Sequence, residues 1–178
     1  APHELNGLAL FIGGSDITEG EATLQAVQDA FFGPMRVSVM LDSNGCNTTA
    51  AATVARIRSV ADVAGRKAVV LAGTGPVGKR IATLLAMERA NVTICSRDSA
   101  RARAASQVAS ERAGITVHSA EFCSAEAPVA LEGAQVIVAA GSPGICLLPE
   151  RVWRASENLV VLADLNAVPP NGIEGLDP

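Results

Sequence analysis

A chain of 178 residues with a formal net charge of −4 is long enough to bury the core of about one to one and a half typical domains. Hydrophobic residues at 49% against 18% charged exclude a disordered chain, and 14 Lys and Arg against 18 Asp and Glu supply no net positive field for nucleic acid. Aromatic residues reach only 3%, too few for a base-stacking platform, and alanine fills 32 positions instead, which suits helices packed closely on a sheet.

In chain order, Leu8 to Ile12 reads as a strand ended by Gly13-Gly14. Thr18 to Phe32 follows as an amphipathic helix with Ala22, Val27, Ala30 and Phe31 on its apolar face. Thr18-Glu19-Gly20-Glu21 fits a capping box, and Gly33-Pro34 stops the helix. Arg36 to Leu41 reads as a second strand and Asp42-Ser43-Asn44-Gly45 as a turn. Asn47 is placed to cap a helix from Thr48 to about Val63, which Gly65 breaks. Ala68 to Ala72 is fully apolar, the mark of a parallel strand buried on both faces. A helix over Val77–Arg89, a strand over Asn91–Cys95, an Ala/Arg helix over Ser99–Arg112 and a weaker strand over Thr116–Ala120 come next. A short helix over Ala125–Leu131, two buried-type strands over Gln135–Ala140 and Leu159–Ala163, and a helix of about Pro149–Ala155 between them complete the series.

Strands alternating with helices predict an α/β fold, a Rossmann-type doubly wound parallel sheet preceded by part of a second, three-layer α/β domain. The boundary is expected near Gly65, giving a partial substrate-side unit over residues 1–64 and a nucleotide-binding domain over residues 65–178. No apolar run approaches ~18 residues, so no membrane partner is expected. Ala1-Pro2-His3-Glu4 lacks the basic start and apolar run of a signal peptide. Cys46, Cys95, Cys123 and Cys146 form no CxxC pair and read as free thiols in a reducing cytoplasm.

Gly73-Thr74-Gly75-Pro76-Val77-Gly78 matches G-x-G-x-x-G between an apolar strand and a helix, the context that gives this motif meaning. Gly73 would allow the tight turn, Gly75 the approach of a pyrophosphate, and Gly78 close packing of helix on sheet. Pro76 costs little in the first turn, and the amide end of the Val77 helix would face the phosphates. The next strand ends in Ser96-Arg97 where a NAD site usually carries an acid, although Asp98 follows. Arg97 can clamp a 2′-phosphate, Ser96 can add a hydrogen bond and Arg101 can reach from the first turn of the following helix, so NADP is expected rather than NAD. Ala140 and Gly141 open a small-residue loop that would let a nicotinamide ribose pass. Asp164 and Asn166 could bond the carboxamide or the substrate, or serve ordinary turn chemistry.

The stretches LDSNGCNTTAAATVA at 41–55, AVVLAGTGPVGKR at 68–80 and ADLNAVPPNGIEG at 163–175, with FFGPMRV at 31–37, resemble the NADP-dependent methylene-tetrahydromethanopterin dehydrogenases of methylotrophic bacteria. More distantly they resemble methylene-tetrahydrofolate dehydrogenases. The resemblance implies hydride transfer from the methylene carbon of a tetrahydromethanopterin-bound one-carbon unit to NADP, leaving the methenyl form. That reaction needs positioning rather than an acid or base, and no catalytic residue is assigned. His3 and His118 show no partner pattern, and no metal-ligand spacing appears. The resemblance places Asp42, Asn44 and Asn47 on the pterin side of an interdomain cleft. A strand end, a turn and a helix cap explain the same three residues without a ligand.

Family members begin earlier and continue past the ADLNAVPPNGIEG stretch, so a fragment or a shortened relative is expected. A non-catalytic NADP-binding relative therefore stays open. So does a two-domain dehydrogenase of a shikimate-like acid, although Lys67 and Lys79, the only lysines, both fall at the nucleotide-binding strand and helix. An Ala-rich helix over Ala50–Val63 suits a homo-oligomer contact and the core equally.

Overall fold

The computed structural model describes residues 5, 7–122, 128–166 and 168–176. His3, Cys123, Ala167 and the first part of the helix expected over Ala125–Leu131 lie outside them. The chain forms two compact units, Ala1–Thr49 and Ala50–Pro178.

In the first unit, strand β1 (Ala9–Ile12) pairs in parallel with β2 (Ser38–Leu41), and helix α1 (Ile17–Asp29) connects them. The cap of α1 is Asp16, whose carboxylate accepts the amides of Thr18 at 2.8 Å and Glu19 at 3.0 Å. Thr18 itself lies inside the helix, because Asp16 is the residue held in the extended conformation that a cap requires. β2 starts two residues later than expected. The preceding segment is spent on a turn, in which the Met35 amide donates to the Phe32 carbonyl and Arg36 Nε to the Gly33 carbonyl. A 3-10 turn over Ser43–Gly45 then leads into α2 (Cys46–Val60).

The second unit holds β3 (Lys67–Leu71), α3 (Pro76–Met87), β4 (Asn91–Ser96), α4 (Ser99–Ala113), β5 (His118–Glu121), a 3-10 turn at Pro128–Ala130, β6 (Val136–Ala139), α5 (Glu150–Arg154) and β7 (Val161–Asp164). Its five strands are all parallel and lie in the order β5-β4-β3-β6-β7, the doubly wound arrangement. Alternate residues of the central strands feed two cores. Val70, Val92, Ile94 and Val138 pack with Ile81 and Leu85 of α3 on one face. Val69, Leu71, Cys95 and Ile137 pack with Phe122, Leu148 and Ile173 on the other. Burial on both faces is what the unbroken apolar run at 68–72 requires. From Ala50 onward α2 belongs to the first of these cores, through Ala50, Val54 and Ile57. Among the described residues no helix is long and apolar enough to cross a membrane.

Cys46, Cys95 and Cys146 are free thiols, the first two buried and the third exposed. Burial pushes the Cys95 thiol up from 9.0 to about 11, with nearby Lys67 pulling the other way. The folded state therefore favours the protonated thiol. Its contribution to stability is complete below pH 9 and lost as pH rises through about 11. We expect an alkaline fall in melting temperature across that window, reduced in Cys95→Ala; a variant with the same alkaline fall would assign it to other groups.

Candidate nucleotide-binding site

Main-chain bonds continue past the strands at their carboxyl ends. The Gly73 amide donates to the Cys95 carbonyl at 3.2 Å, Ala140 to Leu71 at 3.0 Å, and Leu165 to Ala139 at 3.1 Å. The loops after β3, β4, β6 and β7 thus share one edge. Strand order reverses there between β3 and β6, where open α/β sheets hold their ligands.

The three loop glycines have different reasons to be glycine. A Cβ on Gly73 would lie 2.9 Å from the Val70 carbonyl oxygen and 3.2 Å from Ile94 Cγ2. A Cβ on Gly78 would lie 2.6 Å from the Gly73 Cα. Both are dictated by packing within the chain. Gly75 sits at φ −73°, open to any residue, and a Cβ there would meet nothing within 4 Å. The protein itself makes no demand for glycine at 75. Thr74 and Val77 are half-buried and Pro76 is exposed in the first turn of α3. Sequence reading missed Ala72, which holds φ 51° at the end of β3; an alanine gives no sign that it occupies a left-handed conformation.

The helix ends differ in the same direction. Aspartates cap α1 through Asp16 and α4 through Asp98, and Asp42 accepts the Asn47 and Thr48 amides at the start of α2. The N-cap of α3 is Gly75, with no side-chain hydrogen bond, so its positive dipole end carries no capping carboxylate.

At the end of β4, Ser96 is half-buried and Arg97 and Arg101 are exposed. Asp98, the only carboxylate close after that strand in sequence, is the N-cap of α4. Its Oδ1 accepts the Ala100 amide at 2.9 Å and the Arg101 amide at 3.1 Å, while its own amide donates to Ser96 Oγ at 3.2 Å.

Ala140 and Gly141 lie beside the glycine loop, since a Cβ on Gly141 would approach Leu147 Cδ1 at 2.8 Å and the Ala72 methyl at 3.4 Å. Asp164 and Asn166, read from sequence as ligand contacts or turn residues, are engaged with the backbone. Asp164 accepts the Asn166 and Ile173 amides, both at 2.9 Å. Asn166 Oδ1 accepts the Gly144 and Val168 amides, and its Nδ2 donates to the Pro170 carbonyl.

In the first unit, Asp42 also accepts the Thr48 hydroxyl at 2.6 Å, and the Asn47 side chain donates to the Leu41 carbonyl. Asn47 is therefore inside α2 and Asp42 takes the capping role expected of it. Asn44 is exposed at φ 53°, with its amide bonded to the Gly14 carbonyl. His118 is exposed at the start of β5, and no group of three metal-ligating side chains occurs among the described residues.

Two solved structures share the fold at low identity. Dipicolinate synthase A chain from Bacillus subtilis matches with a TM-score of 0.57 and 18% identity, over 93% of this chain and 51% of that one. L-alanine dehydrogenase matches with a TM-score of 0.52 and 18% identity, over 97% and 54%. The family model "Putative NAD(P)-binding" matches residues 60–172, well over half of the chain. The model for the N-terminal part of methylene-tetrahydromethanopterin dehydrogenase matches residues 1–44. Two relatives come from Methylorubrum extorquens. "Bifunctional protein MdtA" is 48% identical over 178 residues, covering 98% of this chain. "NAD(P)-dependent methylenetetrahydromethanopterin dehydrogenase" is 31% identical over 185 residues, covering 99% of this chain. The chain spans 62% of the length of each. With residues 60–172 matched by the NAD(P)-binding model, the chain belongs to the putative NAD(P)-binding family, and along nearly its whole length it is similar to the two Methylorubrum extorquens proteins.

Proposed function

We propose that this chain binds NADP along the carboxyl edge of the five-stranded sheet and serves hydride transfer from methylene-tetrahydromethanopterin to NADP, giving the methenyl form. The observation that carries the reading is Gly75: a glycine the fold does not need, at the uncapped end of α3, between two glycines the fold does need. NADP supplies the hydride acceptor when bound. The residues of the chain bind and orient it. The α3 amides after Pro76 hold the pyrophosphate, and Thr74 and Val77 flank it. Arg97, with Ser96 and Arg101, takes the 2′-phosphate. Arg97 directly after β4, with Asp98 engaged through Oδ1 as the cap of α4, supports NADP over NAD. The cofactor function lies in residues 65–178, and residues 1–64 supply the pterin side. There Asn44 is the one of the three polar candidates left exposed, while Asp42 and Asn47 hold the turn and helix start.

The test is steady-state hydride transfer with methylene-tetrahydromethanopterin and NADP, followed by nicotinamide absorbance. Turnover is expected. NADP binding without turnover would leave a binding module and no enzyme, and absence of binding would remove the whole reading.

A further inference from the structure

We infer that Asn166 is a positioning residue for the nicotinamide half of the cofactor, acting through the loop at 140–144 rather than by touching the dinucleotide. The inference rests on the NADP reading. Asn166 is 6% exposed, and its amide group is committed on both sides. Oδ1 accepts the Val168 amide two positions on, which is local turn chemistry, and also the Gly144 amide 22 positions back, both at 3.3 Å. The second bond joins the loop after β7 to the loop after β6. Nδ2 donates to the Pro170 carbonyl at 3.1 Å, and the Asn166 backbone amide is fixed by Asp164 Oδ1 at 2.9 Å. Asn166 is thus held from both ends while it holds Gly144.

The loop is also held at its other end. The Ala140 amide donates to the Leu71 carbonyl at 3.0 Å, and Gly141 next to it lies beside Ala72, the residue kept at φ 51°. A left-handed alanine is strained and persists only where its surroundings over-determine it. The loop is therefore tied to the end of β3 by the bond from the Ala140 amide to the Leu71 carbonyl and to the β7 exit by Asn166.

The order of the strands gives this loop its role. The phosphates belong over β3 at the α3 end, and the 2′-phosphate lies toward β4 and Arg97. The nicotinamide half must then run over β6 and β7, past residues 140–144. Releasing Gly144 disturbs that half alone. No phosphate or 2′-phosphate contact passes through Asn166.

Calorimetric titration with NADP and with adenosine 2′,5′-bisphosphate, which carries the 2′-phosphate but no nicotinamide half, separates the roles. Asn166→Ser keeps the short turn to Val168 and cannot reach Gly144. NADP should bind about tenfold more weakly, the scale of one lost ordering contact. The bisphosphate should stay within about twofold, which also verifies the fold. Equal losses for both ligands, or no loss for either, would overturn the proposal. If the Ser variant does not fold, Asn166→Thr takes its place, since it too keeps a hydroxyl for the turn to Val168 and cannot reach Gly144; it must lose NADP affinity relative to the bisphosphate, and any other result overturns the role. A wild-type chain that binds neither ligand would instead remove the NADP reading.

Discussion

Gly78→Ala should cost at least about 3 kcal/mol and lower the melting temperature by roughly 10 °C, whereas Gly75→Val should melt with the wild type and bind no dinucleotide. The two residues are three positions apart in one loop, and both would be called motif glycines. Their surroundings are opposite. The methyl added at 78 lies 2.6 Å from the Gly73 Cα and 2.8 Å from the Gly73 carbonyl carbon and oxygen. Those are main-chain atoms pinned by the Gly73–Cys95 bond, so they cannot turn aside as a flexible side chain would. Helix α3 would have to lift from the sheet, and Ile81 and Leu85, both fully buried, would lift with it. At 75 an added Cβ meets nothing within 4 Å, at a φ that valine tolerates, and on the NADP reading the isopropyl group stands where the pyrophosphate would approach. Thermal melts of both variants, with NADP titration of the folded one, decide the matter. Unchanged NADP affinity in Gly75→Val would reduce the loop to a strand–helix turn.

Arg97→Ala should weaken NADP by about 1–3 kcal/mol, roughly 5- to 150-fold, and leave NAD nearly unchanged. The size follows from a charge-assisted contact to a phosphate, and the selectivity from the one group by which the two cofactors differ. Arg97 sits just past the end of β4 and directly before the Asp98 cap of α4, so its backbone is fixed although its side chain is exposed. Asp98 holds the Ala100 and Arg101 amides through Oδ1, which fixes the start of α4 directly after Arg97. Titration of both cofactors against wild type and variant is the measurement. Equal losses would remove the 2′-phosphate role from Arg97.

The sheet of the second unit was readable in the sequence because parallel strands buried on both faces are written as short apolar runs, and those at 68–72, 135–140 and 159–163 each fall on an observed strand. The glycine loop was readable because its neighbours on both sides fit the motif. The caps were read less well. Thr18 and Asn47 have the right chemistry, but Asp16 and Asp42 lie close upstream, and an aspartate in extended or turn backbone reaches two amides at once. Which of two nearby polar residues takes a cap depends on backbone angles that no residue count supplies. Asp164 and Asn166 show the same limit. Their spacing from β7 was open to a ligand contact or to turn chemistry, and it could not name the backbone groups they hold, at Gly144, Val168, Pro170 and Ile173. Gly144 is far upstream, and its closeness is a product of the sheet.

The first unit's ladder has a consequence for how the chain opens. Among the described residues β1 bonds only to β2, four residues each, and Leu10, Phe11 and Met40 stay exposed. A lone pair of parallel strands has little to hold it, so its amides exchange with solvent at low opening free energy. β3 is bonded on both sides and its Val69, Val70 and Leu71 are fully buried. Exchange at β3 therefore reports global unfolding, and a slowing of it on adding NADP is a direct measure of the free energy that the bound dinucleotide contributes to the fold.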